Sequence, residues 1–156
     1  MRIAAYQQQV LWEGLEGEKK SPRTIQNELR NRTLSAVRMA AELGVRALCL
    51  QELSDLPYFP ASNELHYRLL AESVLPHELV VQIRSVARKA RMLVVVPIYE
   101  RFQDATYSTA VVIEENGEIL GRVRKYPVGR GVGYFEKDFF GGELEPGYEV
   151  FSTLQG

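Results

Sequence analysis

The chain has one cysteine, Cys49, and so cannot close a disulfide within itself. That fits a reducing, cytoplasmic compartment. It has two histidines, His66 and His77, with no partners at metal-ligand spacing, which argues against a zinc-type site. It has no uninterrupted apolar run of transmembrane length. Its opening, Met1-Arg2-Ile3-Ala4-Ala5-Tyr6-Gln7-Gln8, lacks the apolar core of a signal peptide. It has no excess of basic charge: 19 Lys and Arg stand against 20 Asp and Glu, for a net charge of −1. A dedicated nucleic-acid or membrane-surface binder would usually carry such an excess. Internal repeats and low-complexity tails are also missing. The expectation is a soluble, cytoplasmic protein with no nucleic-acid or membrane partner.

What remains is ordinary globular composition, 46% hydrophobic and 25% charged over 156 residues. That length is typical of one domain, read as 1–156, able to bury roughly two thirds of its unfolded surface. Ile3 to Tyr6 has strand length. A polar loop follows from Trp12 to about Pro22, ending in Ser21 as a helix N-cap with Pro22 at the first helical position. Ile25, Leu29, Leu34, Val37, Ala40 and Ala41 then recur at helical spacing, and Gly44 is the expected stop. Val45 to Leu50 is almost wholly apolar, the pattern of a parallel strand buried on both faces. Leu56-Pro57-Tyr58-Phe59-Pro60 breaks regular structure and forms a loop at the carboxyl end of that strand, where open α/β folds commonly place their sites.

A second helix is expected over Glu78 to Ala90, with Leu79, Ile83, Val86 and Ala90 on one face. Leu93 to Val96 reads as a buried strand stopped by Pro97. Thr109 to Ile113 and Ile119 to Val123 flank Glu115-Asn116-Gly117-Glu118, a strong hairpin signal. After Lys125 the chain is Gly-rich, and its last strand-like piece is Tyr148 to Thr153. Strand, helix, strand, helix, strand and hairpin make an α/β fold with some antiparallel pairing.

Three residues invite a chemical reading. Glu52 emerges from the buried strand, partly desolvated, the setting of a general base working near neutral pH; the plainer alternative is a surface glutamate. Lys125 ends the second hairpin strand, where an ammonium can stabilise an oxyanion; the alternative is a solvated edge lysine. Glu136, within Gly133-Tyr134-Phe135-Glu136-Lys137, either orients a base or substrate or is a surface charge. Cys49, between Leu48 and Leu50, is expected to be structural, buried and inert, and on the opposite face from Glu52 if the strand stays extended. Gly129-Arg130-Gly131-Val132-Gly133 lacks the Lys-Ser/Thr ending of a phosphate loop and reads as a plain loop. The Tyr- and Phe-rich patches read as core and pocket lining.

The stretch Ala40-Ala41-Glu42-Leu43-Gly44-Val45-Arg46-Ala47-Leu48-Cys49-Leu50-Gln51-Glu52-Leu53 resembles the general-base motif of the nitrilase superfamily of carbon–nitrogen hydrolases. Val111 to Gly117 and Gly121 to Lys125 resemble the segment ending in that family's lysine, and Gly133 to Lys137, Phe139-Phe140 and Pro146 to Phe151 resemble the stretch beyond that lysine. Leu56 to Phe59 and Gly133 to Lys137 carry a narrower likeness to N-carbamoylputrescine amidases and β-ureidopropionases.

The resemblance implies an αββα sandwich, of which this chain is an N-terminal part. It implies no metal or organic cofactor and a small amide or carbamoyl substrate. The implied reaction is thiol attack on a non-peptide C–N bond, with Glu52 as general base, Lys125 as oxyanion stabiliser and Glu136 holding the site together. Two departures bear on this. Tyr126-Pro127-Val128-Gly129-Arg130-Gly131 replaces a segment that in the family often has histidine and proline, so Lys125 is the residue expected to be displaced. The family's nucleophilic cysteine falls beyond the segment matching Phe151 to Gly156, so the 156-residue chain is expected to be inactive alone. The other reading is a non-catalytic half-sandwich for assembly or small-molecule binding. In either case an uncovered apolar sheet face predicts a homo-oligomer or a poorly soluble monomer.

Overall fold

A computed structural model of the chain describes residues 1–9, 20–62, 64–141 and 149–154. Its centre is a five-stranded sheet in the order β1 (Ile3–Tyr6), β2 (Ala47–Leu50), β3 (Leu93–Phe102), β4 (Ala105–Ile113) and β5 (Ile119–Arg124). β1, β2 and β3 run parallel, and β3, β4 and β5 pair antiparallel. The two parallel steps are bridged by helices α1 (Pro22–Glu42) and α2 (Glu78–Ala90).

Local chemistry accounts for the helix bounds. The Ser21 side chain accepts from the Thr24 amide, with Pro22 next, and Gly44 turns the chain away at φ +70°. α2 spans the expected residues and ends on Arg91 in the left-handed region.

Both helices cover the same face of the sheet. Leu34, Val37 and Ala40 of α1 and Leu79, Val80, Ile83 and Ala87 of α2 pack on Leu48, Leu50, Val94, Val96, Ile98, Val111 and Ile113. The other face is divided. Its carboxyl-terminal end lies under a second core of Leu53, Leu56, Phe59, Tyr67, Tyr99 and Phe139, in which Phe59 stacks on Tyr67 at 5.0 Å. Its opposite end is bare among the described residues: Ile3, Ala5 and Cys49 are exposed there. One helical layer on one sheet is half of an αββα arrangement.

Several expectations change. Val45 to Leu50 is not buried on both faces: Leu48 and Leu50 point into the helices, and Cys49, between them, is exposed on the bare side. Cys49 is therefore not a buried structural thiol. β2 also ends at Leu50, so strand alternation does not extend to Glu52.

Nor does Pro97 stop β3, which continues to Phe102. The Pro97 carbonyl accepts from the Ser54 amide on the side where β2 has ended, so its missing N–H falls outside the ladder to β4. The same continuation makes a second hairpin with β4 through Gln103-Asp104, with Gln103 at φ +53°. Finally, residues 149–154 form no strand; Phe151 lies against Gly121 of β5 instead. Tyr148 and most of the polar loop after Trp12 lie outside the described residues.

Candidate active site

Glu52 follows β2, Lys125 follows β5, and Glu136 opens the short 3-10 helix Glu136–Asp138. The fold brings all three together. Lys125 Nζ donates to Oε1 of Glu52 at 3.0 Å and to Oε1 of Glu136 at 2.5 Å. Lys125, expected to be displaced by its altered following loop, is in contact with both carboxylates. The Tyr126–Pro127 peptide bond in that loop is cis.

The two carboxylates are held differently. Glu136 is buried, with donors on both oxygens. Its Oε1 also accepts the Tyr58 hydroxyl at 2.5 Å, and its Oε2 accepts the Gly129 amide at 3.2 Å. Glu52 is half-buried, and its Oε1 accepts both Lys125 and the Ser108 hydroxyl, the latter at 2.9 Å. Its Oε2 has no partner among the described residues. A base needs an oxygen open to a proton; both oxygens of Glu136 are engaged by donors, whereas among the described residues Oε2 of Glu52 is not. Ser108 also holds Lys125 through the backbone, its carbonyl accepting the Lys125 amide at 2.8 Å. An ammonium has three protons, and two are committed, leaving one for a developing oxyanion.

Electrostatics keep Lys125 and Glu136 charged and Tyr58 neutral. Burial works against the Lys125 charge, but hydrogen bonds to Glu136 and Glu52 outweigh it and leave its pKa above the ordinary lysine value. Burial likewise works against the Glu136 charge, yet donors from Lys125, Tyr58 and the Gly129 amide hold it below the usual carboxylate range. Burial and the bond to Glu136 push the Tyr58 phenol up, so it remains a donor.

The turn that aims Glu52 is clamped from several elements. Leu53 is fully buried with φ +53°, a conformation costly for a branched side chain. The next residue, Ser54, donates its amide to Pro97 of β3, while its carbonyl accepts from Thr33 of α1 at 2.6 Å and from Gln8 at 3.0 Å. Asp55, fully buried, accepts from Arg30 at 2.8 Å and Gln26 at 3.2 Å, and lies 3.6 Å from His77. Arg30 in turn reaches Glu72 at 2.6 Å and Glu78 at 3.2 Å.

Reading the sequence missed Ser108 and Tyr58, whose hydroxyls distinguish the two carboxylates. Tyr58 carried a signal in its position six residues after Glu52; Ser108 carried none. His66 and His77 pair with Glu64 and Asp55, and among the described residues no group of three or more His, Cys, Asp or Glu is placed to hold a metal.

The carbon-nitrogen hydrolase profile matches residues 2–156. The chain belongs to the carbon-nitrogen hydrolase family. It is 36% identical over 120 residues to a beta-ureidopropionase of Arabidopsis thaliana, covering 75% of this chain and 29% of that protein. It is 29% identical over 117 residues to an N-carbamoylputrescine amidase of Solanum tuberosum, covering 75% and 39%. The chain thus spans well under half the length of these relatives.

In fold it is similar to a carbon-nitrogen hydrolase from Helicobacter pylori, with TM-score 0.73 and 24% identity over 84% of this chain and 45% of that one. It is also similar to an amidase from Nesterenkonia, with TM-score 0.64 and 21% identity over 94% and 49%. Among the described residues no helix is long and apolar enough to cross a membrane.

Proposed function

We propose that the chain is the base-and-lysine part of an amidohydrolase acting on a small linear N-carbamoyl or amide compound of the N-carbamoylputrescine kind. The observation that carries this reading is the Lys125 ammonium held between a carboxylate engaged at both oxygens, Glu136, and one whose Oε2 has no partner among the described residues, Glu52. Family membership and the N-carbamoyl relatives support the substrate class.

In the proposed reaction Glu52 takes the proton of a thiol, and the thiolate adds to the carbonyl carbon. Lys125 stabilises the oxyanion. As the C–N bond breaks, Glu52 returns the proton to the leaving amine, giving a thioester. Glu52 then deprotonates water, which attacks the thioester and releases the thiol. Glu136 holds Lys125 in place.

The Cys49 thiol is bonded weakly to the Leu50 carbonyl at 3.6 Å and sits on the bare sheet face, so the thiol is assigned to a segment outside 1–156. The chain alone is then expected to release no ammonia from N-carbamoylputrescine. Turnover that survives Cys49→Ala but not Glu52→Gln would overturn the thiol. The coding sequence past codon 156 tests the same point: an open frame encoding an apolar strand that ends in cysteine is expected. In a gene product carrying that strand, Glu52→Gln should lower kcat/KM by roughly 10²–10⁴-fold. The bare face of Ile3, Ala5 and Cys49 favours a second reading, a non-catalytic assembly module. A stop codon after a stable, soluble chain would support it.

A further inference from the structure

The loop that carries Glu52 delivers a second group to the site. Tyr58 precedes Phe59, which is fully buried and ringed by Tyr67, Tyr99 and Phe139 at 4.9–5.0 Å, so the phenol projects from a fixed base. Its hydroxyl donates to Oε1 of Glu136 at 2.5 Å, the oxygen that also receives Lys125, and its ring lies 5.9 Å from Lys125 Nζ. We propose that Tyr58 is a positioning residue whose hydroxyl ties Glu136 to the Glu52 loop, so that Lys125 is shared between the two carboxylates instead of collapsing onto one.

Charge and reach both point this way. Glu52, Glu136 and Lys125 are the charged groups facing Tyr58, two negative and one positive. A lysine on a flexible four-carbon stem would settle on whichever of the two contacted oxygens is poorer in donors. The Gly129 amide serves only Oε2 of Glu136, so without Tyr58 its Oε1 would rely on Lys125 alone. With Tyr58 present, Oε1 of Glu136 has two donors, matching Oε1 of Glu52, which has Lys125 and Ser108. The phenol is suited to this because burial and the adjoining carboxylates keep it protonated well past the ordinary range of tyrosine.

The benefit to Lys125 rests on the function proposed above; the tie itself does not, and its test needs no turnover. In the 156-residue chain labelled with carboxyl-¹³C glutamate, Tyr58→Phe should raise the titration midpoint of Glu136 by about one unit, the loss of one donor to a charged acceptor. Glu136→Gln assigns the resonance. In Glu136→Gln, the Tyr58 phenolate absorbance, isolated by difference from the Tyr58→Phe chain, should move down toward that of an ordinary tyrosine. A Glu136 midpoint unchanged in a folded Tyr58→Phe chain would overturn the proposal. If that variant does not fold, the tyrosine titration in Glu136→Gln decides, and a phenol unmoved by loss of the Glu136 charge overturns it.

Discussion

Replacing Asp55 with alanine should be strongly destabilising. The Asp55 side chain is fully buried, and Arg30 beside it is 7% exposed. Removing one member of a buried ion pair typically costs about 3–5 kcal/mol, because the partner is left buried and uncompensated. Arg30 keeps Glu72 at 2.6 Å and Glu78 at 3.2 Å, so the lower end applies, about 3 kcal/mol. With a urea m-value of about 2 kcal/mol/M, the unfolding midpoint should fall by roughly 1.5 M. Hydrogen-exchange protection should fall in step at the amides of Ser54 and Leu56, which close the turn after Glu52. Removing both charges together, in Asp55→Ala with Arg30→Met, should recover a large part of the loss, since no unpaired buried charge remains. A midpoint within about 0.3 M of the parent, equivalent to about 0.6 kcal/mol, would refute the view that this network holds the Glu52 turn.

Other perturbations test other parts of the fold. Burial holds the His77 pKa below its ordinary value, more strongly than Asp55 raises it. On acidification the unfolded chain therefore takes up a proton that the folded chain refuses, and stability should decline as pH falls through about 6.5. His77→Gln should flatten that slope between pH 7 and pH 5, and equal slopes in urea titrations would contradict the assignment. Gly117→Ala should cost about 1–2 kcal/mol by thermal melting, because φ is +83° and a Cβ would lie 2.7 Å from the Arg84 carbonyl oxygen. Gly121→Ala should dislodge Phe151, whose ring would lie 2.3 Å from the new Cβ, visible as faster proteolysis near residue 151. The bare apolar face predicts self-association in solution, and light scattering that reports a well-behaved monomer would count against it.

Much of this fold was legible because local chemistry and tertiary structure agree. Ser21, Pro22 and Gly44 mark α1 as they would in an isolated peptide, and Asn116-Gly117 marks the β4–β5 turn. Illegible features were those that depend on what lies alongside. Whether Pro97 ends a strand depends on which side its absent N–H faces, and that was decided by where β2 stops. Cys49 looked buried because its neighbours in sequence are leucines, but alternation turns it away from them. Gln26, Arg30 and Thr33 lie on the buried face of α1 and escaped an apolar count because they are buried as hydrogen-bonding groups. At the site, Glu52, Lys125 and Glu136 could be singled out by family resemblance. The hydroxyl of Ser108 could not, since nothing in its own strand marks it and its partner lies 56 residues away.

Leu53 sets a limit on how this chain can vary. Its backbone conformation favours glycine or asparagine, while its side chain is sealed in the second core and favours a large aliphatic group. Glycine would relax the backbone and leave a void; asparagine would suit the backbone and bury an amide without partners; a β-branched residue would fill the space and worsen the strain. No residue type satisfies both demands. Mutational tolerance should therefore reach a minimum at position 53, next to the carboxylate it aims.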